Sequence, residues 1–215
     1  MPEILEEHPM RWIFAAALSL FIQSPPAANL PPAYPRTGAA KILDNDRVQV
    51  WNIGWLKGSP SPLHRHVYDL VGVYYEPGDR MIISPEGAKR PVSTKAWDIA
   101  FQRVGVTHIE EGTSEAPLRA VFVEMKQPGA YGTDASGGKA PAFSGQGGTQ
   151  KLDNERVTVW EYTQPPSAQP HRHTHDAVVV SIAGGKPSAA WVKQGTEHSG
   201  EGASGASRVY VFEIK

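Results

Sequence analysis

Six histidines of this chain fall into two sets of like spacing. His64-Arg65-His66 is followed at a distance by Gly105-x-x-His108, and His171-Arg172-His173 by Gly195-x-x-His198. On a β-strand alternate side chains face the same way, so both members of each His-x-His pair can point into one cavity. A third imidazole arriving from another strand would complete a facial set of three nitrogen donors. Neutral imidazole is a ligand for iron, zinc, nickel, manganese and copper. Three protein ligands that leave open positions form the catalytic kind of metal site, because water or substrate can bind there too. His175 extends the second triplet to His-Arg-His-Thr-His and is read as a rim residue, while Arg65 and Arg172 should point away from any metal.

The elements that must carry these residues occur twice. Leu43-Asp-Asn-Asp-Arg-Val-Gln-Val-Trp51 matches Leu152-Asp-Asn-Glu-Arg-Val-Thr-Val-Trp160, and Arg119–Lys126 matches Arg208–Lys215. Four blocks recur in one order, with length changes only between blocks, as loop insertions and deletions produce. The first copy carries an extra stretch around Pro85 to Asp98. Arg47–Trp51 and Arg156–Trp160 alternate polar and apolar residues, and Leu70–Tyr75 and Ala177–Ile182 are apolar and rich in β-branched or aromatic residues. Each pattern predicts a strand, and the Asp-Asn pairs before Arg47 and Arg156 predict turns. Tyr74, Tyr75, Trp97 and Trp191 read as packing residues. Arg119, Arg208, Glu124 and Glu213 read as solvated strand-edge charges, and Tyr68, Glu76 and Asp69 as the nearest candidates for a general base. No helical period is sustained after residue 40, so two tandem antiparallel β-barrels or sandwiches are expected.

Composition narrows the class. Twenty-one basic against 22 acidic residues leave no bulk charge to attract nucleic acid or an acidic membrane. The absence of cysteine excludes disulfides, thiolate ligands and a Cys nucleophile. Neither a phosphate-binding loop nor a dinucleotide fingerprint nor a nucleophile elbow is present. The apolar run Trp12–Ile22, flanked by Arg11 and followed by Ser24, Ala27 and Ala28, is too short to span a bilayer and suits a secretory signal. Residues 1–28 are therefore expected to be a signal peptide, with Met10 as an alternative start, and the protein to be secreted or periplasmic with no membrane span. Residues 29–40 read as a Pro-rich spacer, 41–126 as the first domain, 127–149 as a Gly/Ala/Ser-rich linker and 150–215 as the second domain.

These motifs resemble the cupin superfamily in its two-domain, bicupin form, and the surrounding phrases are similar to small bacterial cupins of the β-alanine-degradation type. The family's first motif opens with Gly five residues before His-x-His; Gly58 keeps that position and Pro165 replaces it in the second copy. The second motif contains Gly-x-x-His, here without its usual preceding Pro (Arg103, Lys193) or trailing Asn (Gly112, Gly202). The resemblance implies two jelly-roll barrels. It also implies one divalent metal per functional repeat on His64, His66 and His108 and on His171, His173 and His198. Iron is expected first, then zinc, manganese or nickel. The family's metal-binding Glu is missing: its two positions hold Leu70 and Val71, or Ala177 and Val178. Asp69 and Asp176, one residue earlier, are then candidates for a fourth ligand, for a hydrogen-bond partner of a ligand histidine, or for a loop cap. If one copy is degenerate, the second is expected to be. The resemblance implies a mononuclear metal-dependent oxygenase, of the dioxygenase type, acting on a small organic molecule. A metal-dependent isomerase or lyase, and a small-ligand-binding protein without turnover, are the alternatives. A homo-oligomer stays open.

Overall fold

The computed structural model describes residues 30–126, 139–164, 166 and 168–215. The expected signal segment and the first part of the expected linker lie outside them. Among the described residues every regular element is a strand, and no helix is long and apolar enough to cross a membrane. The first half contains β1 (Ala39–Asp44), β2 (Val48–Trp55), β3 (His64–Arg65), β4 (Asp69–Glu76), β5 (Gly78–Ile83), β6 (Lys89–Thr94), β7 (Ile99–Gln102), β8 (Thr107–Gly112) and β9 (Leu118–Met125). The second contains β10 (Thr149–Asp153), β11 (Val157–Tyr162), β12 (Pro170–Arg172), β13 (Asp176–Ala183), β14 (Lys186–Val192), β15 (Glu197–Ser199) and β16 (Arg208–Ile214).

Each half has one five-stranded sheet with the same order, β1-β2-β9-β4-β7 and β10-β11-β16-β13-β14. The opposing sheets differ. In the first half it is four-stranded, β3-β8-β5-β6, whereas in the second only β12 and β15 pair. The insertion of the first copy is this difference, and it begins earlier than Pro85: it supplies the whole β5–β6 hairpin from Gly78 to Thr94. Every pairing within these sheets is antiparallel.

The five-stranded sheets are buried on both faces. One face of the first (Val48, Val50, Val71, Val73, Val121, Val123) packs with one face of the second (Val157, Val159, Val178, Val180, Tyr210, Phe212) in a single apolar cluster. The opposite faces fill the barrels, with Trp51, Ile53, Trp55, Tyr74 and Phe122 in the first and Tyr162, Ala177, Val179 and Val211 in the second. Double-sided burial explains why β4 and β13 read as nearly continuous apolar runs. It also makes the two halves one structural unit, since the largest cluster belongs to both.

Asp69 and Asp176 are not metal ligands here. Asp69 stands on the same face of β4 as Val71 and Val73, away from the barrel interior. Its Oδ2 accepts from Arg156 Nε at 2.8 Å and its Oδ1 from the Val104 amide at 2.7 Å. Asp176 repeats this with Arg47 Nη2 at 3.2 Å and the Gln194 amide at 2.9 Å. Since Arg47 and Arg156 are equivalent, the two ion pairs are exchanged between the halves and clasp the interface at both ends.

The stretch read as a spacer is packed from residue 30 on. Pro32 bridges to Arg65, and Ala33 and Tyr34 are buried in the first barrel. The end of the expected linker behaves alike: Ala142 bridges to Arg172, and Phe143 packs against the second barrel's core.

Candidate metal centres

The two histidine sets are assembled by the same backbone device. His64 pairs with His108 across β3 and β8, and His171 with His198 across β12 and β15. Directly paired residues project to the same side of a sheet about 5 Å apart. The middle histidine is fixed by the Gly-x-x-His turn. The Gly105 amide donates to the His66 carbonyl at 2.8 Å, and the Gly195 amide to that of His173 at 3.0 Å. Both turns need a positive φ, +94° at Gly105 and +77° at Gly195, which glycine adopts at no steric cost.

In the first barrel His64, His66 and His108 are all buried, and their donor atoms lie within 4.8 Å of one another. His66 Nε2 and His108 Nε2 face each other at 3.2 Å. His64 Nδ1 is 2.9 Å from the Pro62 carbonyl, which accepts its proton and leaves Nε2 as a bare lone pair without a hydrogen-bond partner. Burial lowers all three basicities. Burial and the neighbouring His108 and His64 bring His66 down to about 3, and burial holds His108 at about 4. This is a set of imidazoles held neutral at ordinary pH, with the His64 lone pair free and the His66 and His108 Nε2 atoms sharing one contact.

No carboxylate joins them. Glu110, two residues after His108 on the same face of β8, is buried, yet its pKa is brought down to about 2 by Arg36 and Arg80. Arg36 Nη2 lies 3.0 Å and Arg80 Nε 3.6 Å from its carboxylate. Glu110 is thus held by two guanidiniums.

The second barrel adds a fourth donor. Glu201, on the loop after β15, is buried beside His171, His173 and His198. Its Oε1 lies 2.7 Å from His171 Nε2, 2.9 Å from His173 Nε2 and 3.5 Å from His198 Nε2. His198 Nε2 and Glu201 Oε2 keep no hydrogen-bond partner. His171 Nδ1 contacts the Gln169 carbonyl at 3.0 Å, and His173 Nδ1 contacts Glu213 Oε1 at 3.3 Å. Burial alone would lower His173, but its bonds to Glu201 and Glu213 raise it to about 8. Burial would raise Glu201, and His173 and His171 instead keep it below its ordinary value. The site is also more open: His171 and His198 are half-buried.

The spacing of the sequence brings together all six expected histidines, in two threes. It does not bring in His175, which contacts the Thr174 hydroxyl. Nor does it bring in Tyr68 or Asp69, which line a cavity by Arg156 between the halves, or Glu76, which pairs with Arg119. Glu124 and Glu213 are not solvated edge charges: both are buried on the barrel faces and accept from Trp51 and Trp160 Nε1. Tyr74 packs inside the first barrel, and Tyr75, Trp97 and Trp191 pack at the interface. Glu201 was missed because the family pattern looks for a carboxylate after the second histidine. Spacing alone does not mark it, because Gly195-x-x-His198-x-x-Glu201 recurs as Gly105-x-x-His108-x-x-Glu111, whose acid stays out of the first cluster.

Both sets fit a divalent metal. Each keeps an unpartnered donor atom at the cluster, His64 Nε2 in the first and His198 Nε2 with Glu201 Oε2 in the second, and metal binding would displace the protons held in the second. Imidazole nitrogen suits iron, zinc, nickel or copper, and an added carboxylate extends the choice toward harder ions.

The fold is the cupin fold, a jelly-roll barrel present twice. The chain is similar to AerE from Microcystis aeruginosa, at 12% identity over 86% of this chain and 97% of that one, with a TM-score of 0.50. A cupin 2 conserved barrel domain protein from Leptotrichia buccalis is 12% identical over 82% of this chain and 88% of its own, with a TM-score of 0.47. A cupin domain protein from Bordetella pertussis is 26% identical over 46% of this chain and 97% of its own, with a TM-score of 0.39. No protein-family model and no curated protein matches the sequence.

Proposed function

We propose that this protein is an exported, metal-binding double-barrel enzyme, a mononuclear metal-dependent oxygenase acting on a small organic molecule. The observation that carries the reading is the convergence, in a buried site, of three imidazoles of lowered basicity, with His64 Nε2 left without a partner and His66 and His108 facing each other through Nε2 at 3.2 Å. His64, His66 and His108 would hold one ion and His171, His173, His198 and Glu201 another. A bound redox metal with open positions would supply activation of oxygen and of substrate together. The chain's own residues orient the donors. The Pro62 carbonyl fixes the His64 tautomer, so that Nε2 faces the cluster. Tyr34 packs edge-on to His66, and Phe143 lies 4.4 Å from His173, ring centre to ring centre, which keeps water off those imidazoles. Arg36 and Arg80 keep Glu110 charged but occupied, so it does not compete for protons near His108.

The test is elemental mass spectrometry of protein purified without chelator and reconstituted with Fe(II) under anaerobic conditions. The comparison sets wild type beside His64→Ala/His66→Ala and His171→Ala/His173→Ala. Each double variant should lose the metal of its own barrel and keep the other. Oxygen uptake in the presence of substrate should follow the iron. Protein that retains no metal after reconstitution would overturn the reading.

A further inference from the structure

The β5–β6 hairpin, present only in the first half, builds a wall onto the first histidine cluster. Arg80 on β5 reaches Glu110 inside the barrel. Ile82, two residues on, faces the same way. Ile82 is the register partner of Glu110 on β8 and of Arg90 on β6, so Arg90 shares their sheet face, exposed on the edge strand at the open end of that face. His108 lies on that face two residues before Glu110. A cavity of about 360 Å³ opens here, lined by Ile82 and Ser84, by Lys89 and Arg90, and by Thr107 and His108. That volume suits a small ligand. The lining contains two cations and no carboxylate. Deeper in the barrel, Arg36 and Arg80 face the single carboxylate of Glu110, and Arg36 Nε and Arg80 Nη1 are buried without a hydrogen-bond partner. The cavity beside the second cluster has the opposite character. It includes Phe143, Tyr162, His171 and the carboxylate of Glu201, and no Lys or Arg.

We propose that the first barrel takes a small organic acid, whose carboxylate is held by Arg90 at the mouth while its carbon chain reaches the cluster of His64, His66 and His108. The inference rests on the reading of that cluster as a metal centre, since it names the substrate class of the same site. Arginine fits because its planar fork binds a carboxylate through two parallel hydrogen bonds. Lys89, the register partner of Ile83, is exposed and lines the cavity only at its rim, where it adds charge. Two strand spacings separate β6 from β8, about 10 Å, and His108 lies about 7 Å further along its strand. The Arg90 and His108 side chains project into that gap and leave room for a chain of a few carbons.

The test is isothermal titration of the full chain with acetate, succinate, glutarate and benzoate, and with the neutral succinamide. Each is measured on chelator-treated and on Fe(II)-loaded protein. At least one carboxylate should bind and succinamide should not. Arg90→Gln should weaken binding by about tenfold or more. Arg90→Lys should restore part of it, Lys89→Gln should cost less than Arg90→Gln, and added salt should weaken binding further. Metal content and melting temperature of Arg90→Gln should equal wild type. Equal binding of succinamide, no effect of Arg90→Gln, or no carboxylate bound at tens of millimolar would overturn the proposal. If chelator-treated protein binds the acid through Arg90 but no metal is ever retained, the metal reading fails and this one stands. If metal is retained and Arg90→Gln changes nothing, the reverse holds.

Discussion

The two barrels place three imidazoles by the same turn and the same cross-strand pair, but surround them with different chemistry. In the first, all three histidines are buried and their acidic neighbour is bound to Arg36 and Arg80. In the second, the wall made by β5 and β6 is missing, two histidines are half-exposed, and Glu201 reaches in from a loop. Backbone hydrogen bonds at Gly105 and Gly195 therefore fix where the nitrogens stand. Loops and insertions decide whether a carboxylate joins them and what can approach. The copy expected to be degenerate, because Pro165 replaces its opening glycine, has the larger donor set.

The sharpest way to break this comparison is to remove Glu201. Glu201→Gln keeps the size of the side chain but withdraws the charge that contacts three imidazoles. Metal retention by the second barrel should fall by about a hundredfold or more, near the upper end of what supporting partners alone cost. Retention by the first barrel should not change. Competition with a graded chelator reads both sites on one sample. Equal loss from both barrels, or from neither, would end the claim that the two donor sets differ.

The clasp between the halves sharpens the comparison from outside the sites. Arg156 and Asp69 have side chains 8% exposed, whereas Arg47 is 25% exposed against 10% for Asp176. Removing one partner of a buried pair leaves an uncompensated charge, at a cost of about 3–5 kcal/mol. Arg156→Ala should approach the lower end of that range, because Asp69 keeps the Val104 amide and Arg103 within 3.7 Å. Arg47→Ala should cost about half as much, since solvent screens the more exposed pair. Urea unfolding followed by tryptophan fluorescence should rank them in that order, with one transition for the joined halves.

Much of this architecture was legible in the sequence for physical reasons. Strand alternation, the Asp-Asn turns and the repeated His-x-His and Gly-x-x-His motifs are local, and local spacing sets which side of a strand a residue faces. Nearness to the family's missing Glu position misled at Asp69 and Asp176. They begin β4 and β13 on the face turned away from the barrel interior, and their partners, Arg156 and Arg47, sit in the other half. Glu124 and Glu213 were misread because a charged residue near a strand end is usually solvated. Here the tryptophans of β2 and β11 cover them, which only the sheet order reveals. Glu201 and Arg90 depend on where a loop and a hairpin fold back, and no local pattern encodes that.

The smallest expected effect concerns the equivalent pair Glu124 and Glu213. Burial pushes Glu124 up to about 7 despite the bonds from Trp51 and Gln49. A carboxyl whose folded pKa lies above its unfolded value near 4.5 binds its proton more tightly when folded. Its contribution is therefore fully present below about pH 4.5 and is lost as pH rises through 7. The shift sets an upper bound of about 3 kcal/mol, at 1.36 kcal/mol per unit. Glu124→Gln mimics the protonated form and keeps an oxygen for Trp51 and Gln49. It should leave stability unchanged at pH 4.5 and raise it by about 1–3 kcal/mol at pH 8. Glu213 offers its carboxylate to His173, at 3.3 Å, so Glu213→Gln should bring no gain at pH 8. Melting temperatures of both variants across that range decide the matter. A gain at pH 8 for both, or for neither, would mean that the two acids share one environment after all.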